Sequence, residues 1–356
     1  MEENKNIILS AHNIEVKFKV RDRVLTAIRN VSLDLFEGET LAIVGESGSG
    51  KSVFTKTFTG MLEQNGKVTN GEIIFEGKNL LGNKTDNDWV SIRGKKIATV
   101  FQDPMTSLNP VKTIGSQIIE VIIKHQNKTK EEAKKIAIEL MDKVGIPDAA
   151  NRFDEYSFMY SGGMRQRIVI AITLACRPDI LICDEPTTAL DVTIQAQIIE
   201  LIKSLQKEYG FTTIYITHDL GVVANVADRV AVMYAGQIVE YGKVEEIFYN
   251  PAHPYTWGLL SSLPQLGEKG SDLYAITGTP PSLFDVIVGD AFAPRNPYAM
   301  KIDFEEEPPM FKVSETHSAK TWLLDPRAPK VEPPAAIKNL HERLLKITSP
   351  EGGYHG

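Results

Sequence analysis

The chain has 356 residues, with apolar and charged fractions of 42% and 24%, the balance of an ordinary globular protein long enough for about two domains. Its net charge of −7 argues against a protein that coats nucleic acid, which carries a basic domain. Two cysteines, Cys176 and Cys183, stand inside apolar segments and read as small buried hydrophobes; they form neither a disulfide framework nor a zinc spacing, and a reducing compartment fits.

The opening Met1-Glu2-Glu3-Asn4-Lys5-Asn6 is polar and unlike a signal peptide. No apolar run reaches the roughly 18 residues of a membrane span, so the chain is expected not to cross a membrane by itself. From Ile7 to Leu41 apolar and polar residues alternate, as in Ile14-Glu15-Val16-Lys17-Phe18 and Val31-Ser32-Leu33-Asp34-Leu35. This period predicts half-buried strands of a small antiparallel sheet. The stretch Gly71 to Lys78 adds a further strand and turn.

Leu41-Ala42-Ile43-Val44 is a buried-strand pattern that runs into Gly45-Glu46-Ser47-Gly48-Ser49-Gly50-Lys51-Ser52 and then into a helix-forming segment, Val53 to Phe58. Strand, glycine-rich loop and helix in this order are a phosphate-cradling loop. The glycines let backbone N–H groups turn inward, where the helix N-terminus adds its own donors. Lys51 would reach the β- and γ-phosphates of a nucleotide and Ser52 would bind Mg²⁺.

Ile97-Ala98-Thr99-Val100-Phe101 predicts a buried strand ending at Gln102. The pattern from about Thr113 to Val144 is helical, with a helix start at Thr129-Lys130-Glu131-Glu132 and Ile136, Leu140 and Val144 on one face. Ile180 to Cys183 and Thr212 to Thr217 are core strands with a helical stretch, Ile194 to Tyr209, between them. Strands alternating with helices predict a mainly parallel sheet. The first of these strands ends in two carboxylates, Asp184 and Glu185. Such residues face the crevice where α/β sheets bind ligands. Asp184 suits Mg²⁺, and Glu185 suits orientation or deprotonation of an attacking water. Around Tyr249 prolines become frequent, and Asn250-Pro251-Ala252-His253-Pro254-Tyr255 looks like a boundary.

The phosphate loop, Gln102, Ser161-Gly162-Gly163, Asp184-Glu185, Thr188-Ala189-Leu190-Asp191 and His218 follow one another in an order that resembles the ATP-binding cassette (ABC) ATPases. The resemblance covers about residues 7–249. It implies an α/β fold: an ABC-type nucleotide-binding domain with a mainly parallel core sheet carrying the phosphate loop, an antiparallel β subdomain, and an inserted α-helical subdomain at about residues 105–165. A small C-terminal extension at 250–330 and a tail at 331–356 would follow.

It also implies ATP and Mg²⁺ as bound groups. Gly45, Glu46, Ser47, Gly48, Ser49, Gly50, Lys51 and Ser52 would hold the nucleotide. Ser52, Gln102 and Asp184 would hold the metal, and Glu185, Gln102 and His218 would serve catalysis. Gln102 would also sense the membrane partner, and His218 would contact the γ-phosphate. Ser161, Gly162 and Gly163 would cap the γ-phosphate of ATP held on an opposite subunit, with Asp191 at the dimer seam. One departure is Tyr160, where the family usually has Leu. Phe18 is placed either as the adenine-stacking aromatic or as a core residue of the first sheet.

Four stretches are similar to the oligopeptide and dipeptide importer branch: Phe101 to Pro110, Glu185 to Thr193, Asn250 to Thr256, and Gly278 to Leu283. That branch implies an ATP-hydrolysing subunit that energises import of oligopeptides through two separate membrane permease subunits. It would sit on the cytoplasmic face of the membrane, paired with a second ABC ATPase as a heterodimer and served indirectly by an extracellular peptide-binding protein, with no nucleic acid. Nickel or another small solute is the alternative cargo. A ribosome- or DNA-associated ATPase is the other alternative, and the single cassette without a long coiled-coil insertion argues against it. Members of the branch often carry four cysteines that bind an iron–sulfur cluster in the extension. Here Asp290, Asn296, Asp303 and Thr321 stand at those positions, and since such clusters need thiolate ligands no cluster is expected.

Overall fold

The computed structural model describes residues 6–82, 85–187, 191–262, 276–334 and Ile337. Two long strands, β1 (Ile7–Val20) and β2 (Arg23–Phe36), form an antiparallel hairpin. β3 (Thr40–Val44) leads through the glycine-rich loop into α1 (Lys51–Thr59). The chain returns through β4 (Gly66–Phe75) and the short β5 (Lys78–Asn79) to complete a four-stranded antiparallel sheet in the order β2-β1-β4-β5. The inward side of β1 changes phase along the strand: Leu9 and Ala11 are buried, then Ile14, Val16 and Phe18. A register shift between Ala11 and Ile14, with Asn13 at φ 51, accounts for this. An extra residue in one strand moves every later side chain to the other face, and the bulge restores the apolar set to the core.

After α2 (Asp86–Ile92) and β6 (Ile97–Val100) comes the helical insertion, with α3 (Pro104–Ser107), α4 (Ile114–Gln126), α5 (Lys130–Lys143), α6 (Ala149–Arg152) and α7 (Gly162–Leu174). The helical pattern predicted from Thr113 to Val144 is broken at Asn127, φ 52, so it makes two helices. The reason is local: Asn tolerates the left-handed turn, and Thr129 with Glu132 forms a complete capping box that starts α5. Ile118, Ile122, Ala137, Leu140, Met141 and Ile168 share the core of this insertion. Tyr160 is fully buried there. Its hydroxyl donates to the Arg152 carbonyl at 2.6 Å and the Arg152 guanidinium lies 4.4 Å from its ring centre, so Tyr in place of Leu is packed and hydrogen-bonded, and burial pushes its hydroxyl up to about 12.

The chain then alternates β7 (Ile180–Asp184), α8 (Val192–Tyr209), β8 (Thr212–Thr217), α9 (Leu220–Val226), β9 (Arg229–Tyr234), β10 (Gln237–Lys243), α10 (Val244–Tyr249) and α11 (Pro254–Ser261). Strands β9, β3, β8, β7 and β6 lie parallel in that order, with β3 between β9 and β8 and every residue of it buried. β10 pairs antiparallel on the β9 edge.

The segment beyond Tyr249 continues this sheet instead of folding apart. β12 (Ser318–Ala319) pairs with β10, and β11 (Phe311–Lys312) pairs with β12. Val44 and Tyr234 of the central strands share one apolar cluster with Tyr255, Trp257 and Phe292 of the extension. The change of composition at Tyr249 is therefore not a change of core. The proline-rich Asn250 to Tyr255 stretch is held by a buried carboxylate. Glu240 accepts from the N–H groups of Ala252 at 2.5 Å and His253 at 3.1 Å and bonds His317 Nε2 at 2.7 Å. His253 Nδ1 in turn caps α11 by accepting from the Tyr255 N–H.

Asp290, Asn296, Asp303 and Thr321 are all buried. Each accepts from a backbone N–H two or three residues away, from Phe292, Tyr298, Met300 and Leu323 respectively. They work as turn-forming residues, and two carboxylates, an amide and a hydroxyl do not fit the thiolate chemistry of an iron–sulfur cluster.

Candidate active site

The phosphate loop keeps its shape because two glycines cannot be replaced. Gly45 has φ 149, and a Cβ there would lie 2.1 Å from the Met233 carbonyl oxygen; Gly50 has φ 103, and a Cβ there would meet Ile28 and the Ala27 carbonyl below 3 Å. Gly50 is the N-cap of α1 and brings no side chain to it, so the first-turn N–H groups are left for an anion. Lys51 is nearly buried and its Nζ donates to the loop's own carbonyls, Gly45 at 2.8 Å and Glu46 at 2.9 Å. Burial lowers its pKa, while the nearby Glu185, Asp184 and Glu46 carboxylates pull it back up. With Glu46 paired to Arg295, one ammonium faces the two carboxylates of Asp184 and Glu185, a balance that favours an incoming cation together with an anionic ligand.

Ser52 Oγ donates to Asp184 Oδ1 at 2.9 Å. This joins the start of α1 to the end of β7. Burial raises the Asp184 pKa, and the Ser52 hydrogen bond opposes the shift. A hydroxyl and a carboxylate side by side are the hard oxygen donors that Mg²⁺ takes. Glu185 follows at the strand end with φ 46, a left-handed conformation that costs energy for a residue with a side chain and is typical of functional sites. Its N–H is held by the Ile216 carbonyl at 3.0 Å. Two residues from other strand ends meet its carboxylate: Gln102 Nε2 donates to Oε2 at 3.1 Å and His218 Nδ1 lies 3.3 Å from Oε1. Gln102 and His218 are exposed, whereas Glu185 is partly covered.

The structure brings Lys51, Ser52, Gln102, Asp184, Glu185 and His218 together at the C-terminal ends of β3, β6, β7 and β8. It does not bring Ser161 and Gly163 into that group; their hydrogen bonds are local. Ser161 caps α7 by accepting from the Met164 N–H. A Cβ on Gly163 would lie 2.7 Å from Ile194 Cγ2, so the close approach of α8 requires a bare backbone there. Gly162 is exposed beside it. Asp191 caps α8 by accepting from the Ile194 N–H at 3.0 Å, and Thr188, Ala189 and Leu190 lie outside the described residues.

Phe18 differs from the platform reading. It is 9% exposed, belongs to the core of the antiparallel sheet, and packs so closely on Gly66 that a Cβ there would fall 2.4 Å from its ring. A stacked base needs an open ring face, and this ring is committed to the sheet.

Two residues that bear on the phosphate loop had no sequence signal of their own. Arg295 Nη1 and Nη2 donate to the two Glu46 carboxylate oxygens at 2.7 and 3.0 Å, and Tyr255 Oη accepts from the Glu46 N–H at 2.9 Å. Their distance along the chain hides the link. The only hint is that Arg295 lies in the Phe292-Ala293-Pro294-Arg295 frame and Tyr255 in the Asn250 to Thr256 stretch.

Residues 28–188 match the ABC transporter model and residues 239–302 match the model of the oligopeptide/dipeptide transporter C-terminal region. The chain is 70% identical to the oligopeptide transport ATP-binding protein AmiE of Streptococcus pneumoniae, over 97% of each chain. It is 58% identical to the oligopeptide transport ATP-binding protein OppD of Bacillus subtilis, over 95% of this chain and 94% of that one. Among solved structures, the dimeric post-hydrolysis state of an ATP-binding cassette bound to ADP and Pi is 29% identical, with a TM-score of 0.59, covering 66% of this chain and 98% of the other.

Proposed function

The chain belongs to the ABC transporter family, as an ATP-binding subunit of the oligopeptide and dipeptide importer type, and from that premise we propose how its residues do the work. It is an ATPase whose hydrolysis energises import of oligopeptides through membrane permease subunits. No helix among the described residues is long and apolar enough to cross a membrane; the chain acts from the cytoplasmic face, docked on two permease subunits. A second ABC ATPase completes a heterodimer, and an extracellular peptide-binding protein delivers cargo to the permeases.

The observation that carries the mechanism is the meeting of Gln102, His218 and Glu185 one residue from the Ser52–Asp184 pair. The triphosphate of ATP lies in the loop from Gly45 to Ser52, and Lys51 exchanges its carbonyl partners for β- and γ-phosphate oxygens. Ser52, Asp184 and Gln102 would hold Mg²⁺, which would supply charge neutralisation on the phosphates. Gln102 orients a water against the γ-phosphorus. Glu185 accepts a proton from that water as the new P–O bond forms and the bond to the β-phosphate oxygen breaks. His218 bonds the γ-phosphate and keeps the Glu185 carboxylate turned toward the water. Ser161, Gly162 and Gly163 close over the nucleotide of the partner ATPase: the α7 N-terminus with a hydroxyl and bare backbone suits an anion. Asp191 stands at the seam between the two.

Glu185→Gln tests the assignment. It should leave ATP affinity unchanged and lower turnover by about 10²–10⁴-fold, the range for loss of a general base, with ATP-bound dimers accumulating. Wild-type turnover of this variant in the assembled transporter would remove Glu185 from the mechanism.

A further inference from the structure

We propose that Arg295 and Tyr255 of the C-terminal extension act as a strut that sets the phosphate loop for ATP, so that nucleotide affinity is controlled from outside the cassette core. This rests on the ATPase reading above and adds two positioning residues to it.

Glu46 is the second residue of the loop, and both of its polar ends are taken by the extension. Its N–H is turned to Tyr255 Oη, and its carboxylate is held by both terminal nitrogens of Arg295. The guanidinium is itself fixed on three further sides. It donates to the carbonyls of Thr277 at 3.0 Å and Ile276 at 3.4 Å and to Tyr234 Oη at 3.3 Å. Arg295 is nearly buried, so this is a planar, fully used fork instead of a solvated surface pair. Tyr255 and Tyr234 are packed ring to ring, centroids 4.7 Å apart, which removes their freedom to follow a moving loop.

The consequence for ATP is electrostatic as well as steric. An unpaired carboxylate at position 46 would stand in the same loop that must accept a triphosphate, and like charges at short range in a partly buried site repel strongly. Arg295 neutralises it through both terminal nitrogens. Tyr255 fixes the peptide plane that carries the Gly45 carbonyl, one of the two oxygens now bonded to Lys51 Nζ.

The test uses the full-length chain, ATP binding by calorimetry, and thermal unfolding of each variant. Arg295→Gln should weaken ATP binding about tenfold or more. Adding Glu46→Gln to it should restore most of the lost affinity, because the stranded charge is gone; a role in stability alone would not produce that rescue. Tyr255→Phe, which keeps the ring packing, should weaken ATP binding by several-fold with little change in melting temperature. Should Arg295→Gln not fold, Tyr255→Phe and Arg295→Lys carry the test, and both should bind ATP more weakly than wild type; wild-type affinity in both overturns the strut. Unchanged affinity in Arg295→Gln and Tyr255→Phe, or a double variant as weak as Arg295→Gln alone, overturns the strut. A wild-type chain that does not bind ATP overturns the ATPase reading on which it rests.

Discussion

Asp184 at the end of β7 and Asp290 in the extension are both carboxylates whose pKa is raised by burial, yet their surroundings are opposite. Asp184 has Ser52 as its hydrogen-bond donor and Lys51 within reach, and it is only partly buried. Asp290 has the Phe292 N–H on one oxygen and the negative Asp303 beside it, inside a closed turn cluster. The first arrangement leaves charge to be balanced by something that arrives. The second gives each acid one backbone N–H and leaves Asp290 Oδ2 and Asp303 Oδ1 without a hydrogen-bond partner among the described residues. A buried acid alone therefore does not mark a site; what marks it is an unfilled role for a cation or proton beside groups that can use it.

Replacing the two acids in parallel gives the largest contrast. Asp184→Asn should lower ATP turnover by about two orders of magnitude or more, since a neutral amide is a poor Mg²⁺ ligand, while the chain remains folded; a steady-state ATPase assay with a melting curve checks both. Turnover within a few-fold of wild type would erase the distinction between the two carboxylates.

Removal of everything after Tyr249 addresses the extension as a whole. It would strip Tyr255, Trp257, Leu260 and Phe292 from the cluster that covers Val44 and Tyr234. Each large buried side chain lost is worth about 3–5 kcal/mol, so several together exceed the stability of a typical domain. The truncated chain should be recovered insoluble or without a cooperative unfolding transition. A soluble, cooperatively folded and ATP-binding truncation would make the extension an appendage instead.

Asp290→Asn should have the opposite sign from most core changes. The Asp290 carboxyl lies at about 6 in the folded chain, against about 3.9 unfolded. The folded state therefore binds its proton more tightly. The penalty for ionising it in place is absent below about pH 4, grows as the pH rises through 6 and is fully present above. By linkage it amounts to about 1–3 kcal/mol. The amide keeps the Phe292 hydrogen bond and carries no charge, so stability at pH 8 should rise by that order and the difference from wild type should vanish near pH 4. Denaturant melts at the two pH values check it; an equal effect at both would mean that charge is not the cause.

Thr321→Val is the smallest of these changes. It removes the hydroxyl that accepts from the Leu323 N–H at 3.3 Å and should cost about 1 kcal/mol, with ATP turnover unchanged. A drop in turnover would tie this turn to the nucleotide site.

What the sequence determined by itself is everything that depends on spacing within one element and its neighbours. Val44 to Ser52 reads as strand, loop and helix because glycine placement and apolar runs are local properties. Thr129 with Glu132 announces a helix start for the same reason, and Asp184-Glu185 is legible because an apolar strand must end where its carboxylates begin. The resemblance to the ABC ATPases adds roles to these residues through the order of the motifs, and the close relatives carry the family beyond doubt.

Only the tertiary structure decided which residues meet across the chain. The β1 bulge commits Phe18 to the sheet core on Gly66, a contact between two strands that the alternation of one strand cannot show. The meeting of Gln102, Glu185 and His218 depends on the parallel order of β6, β7 and β8. Arg295 reaches Glu46 because β11 and β12 extend the same sheet that carries the phosphate loop at its centre. Side-chain partners 249 positions apart leave no periodic trace. They are selected by packing and by the need of a buried guanidinium for a carboxylate, and those demands exist only once the sheet has formed.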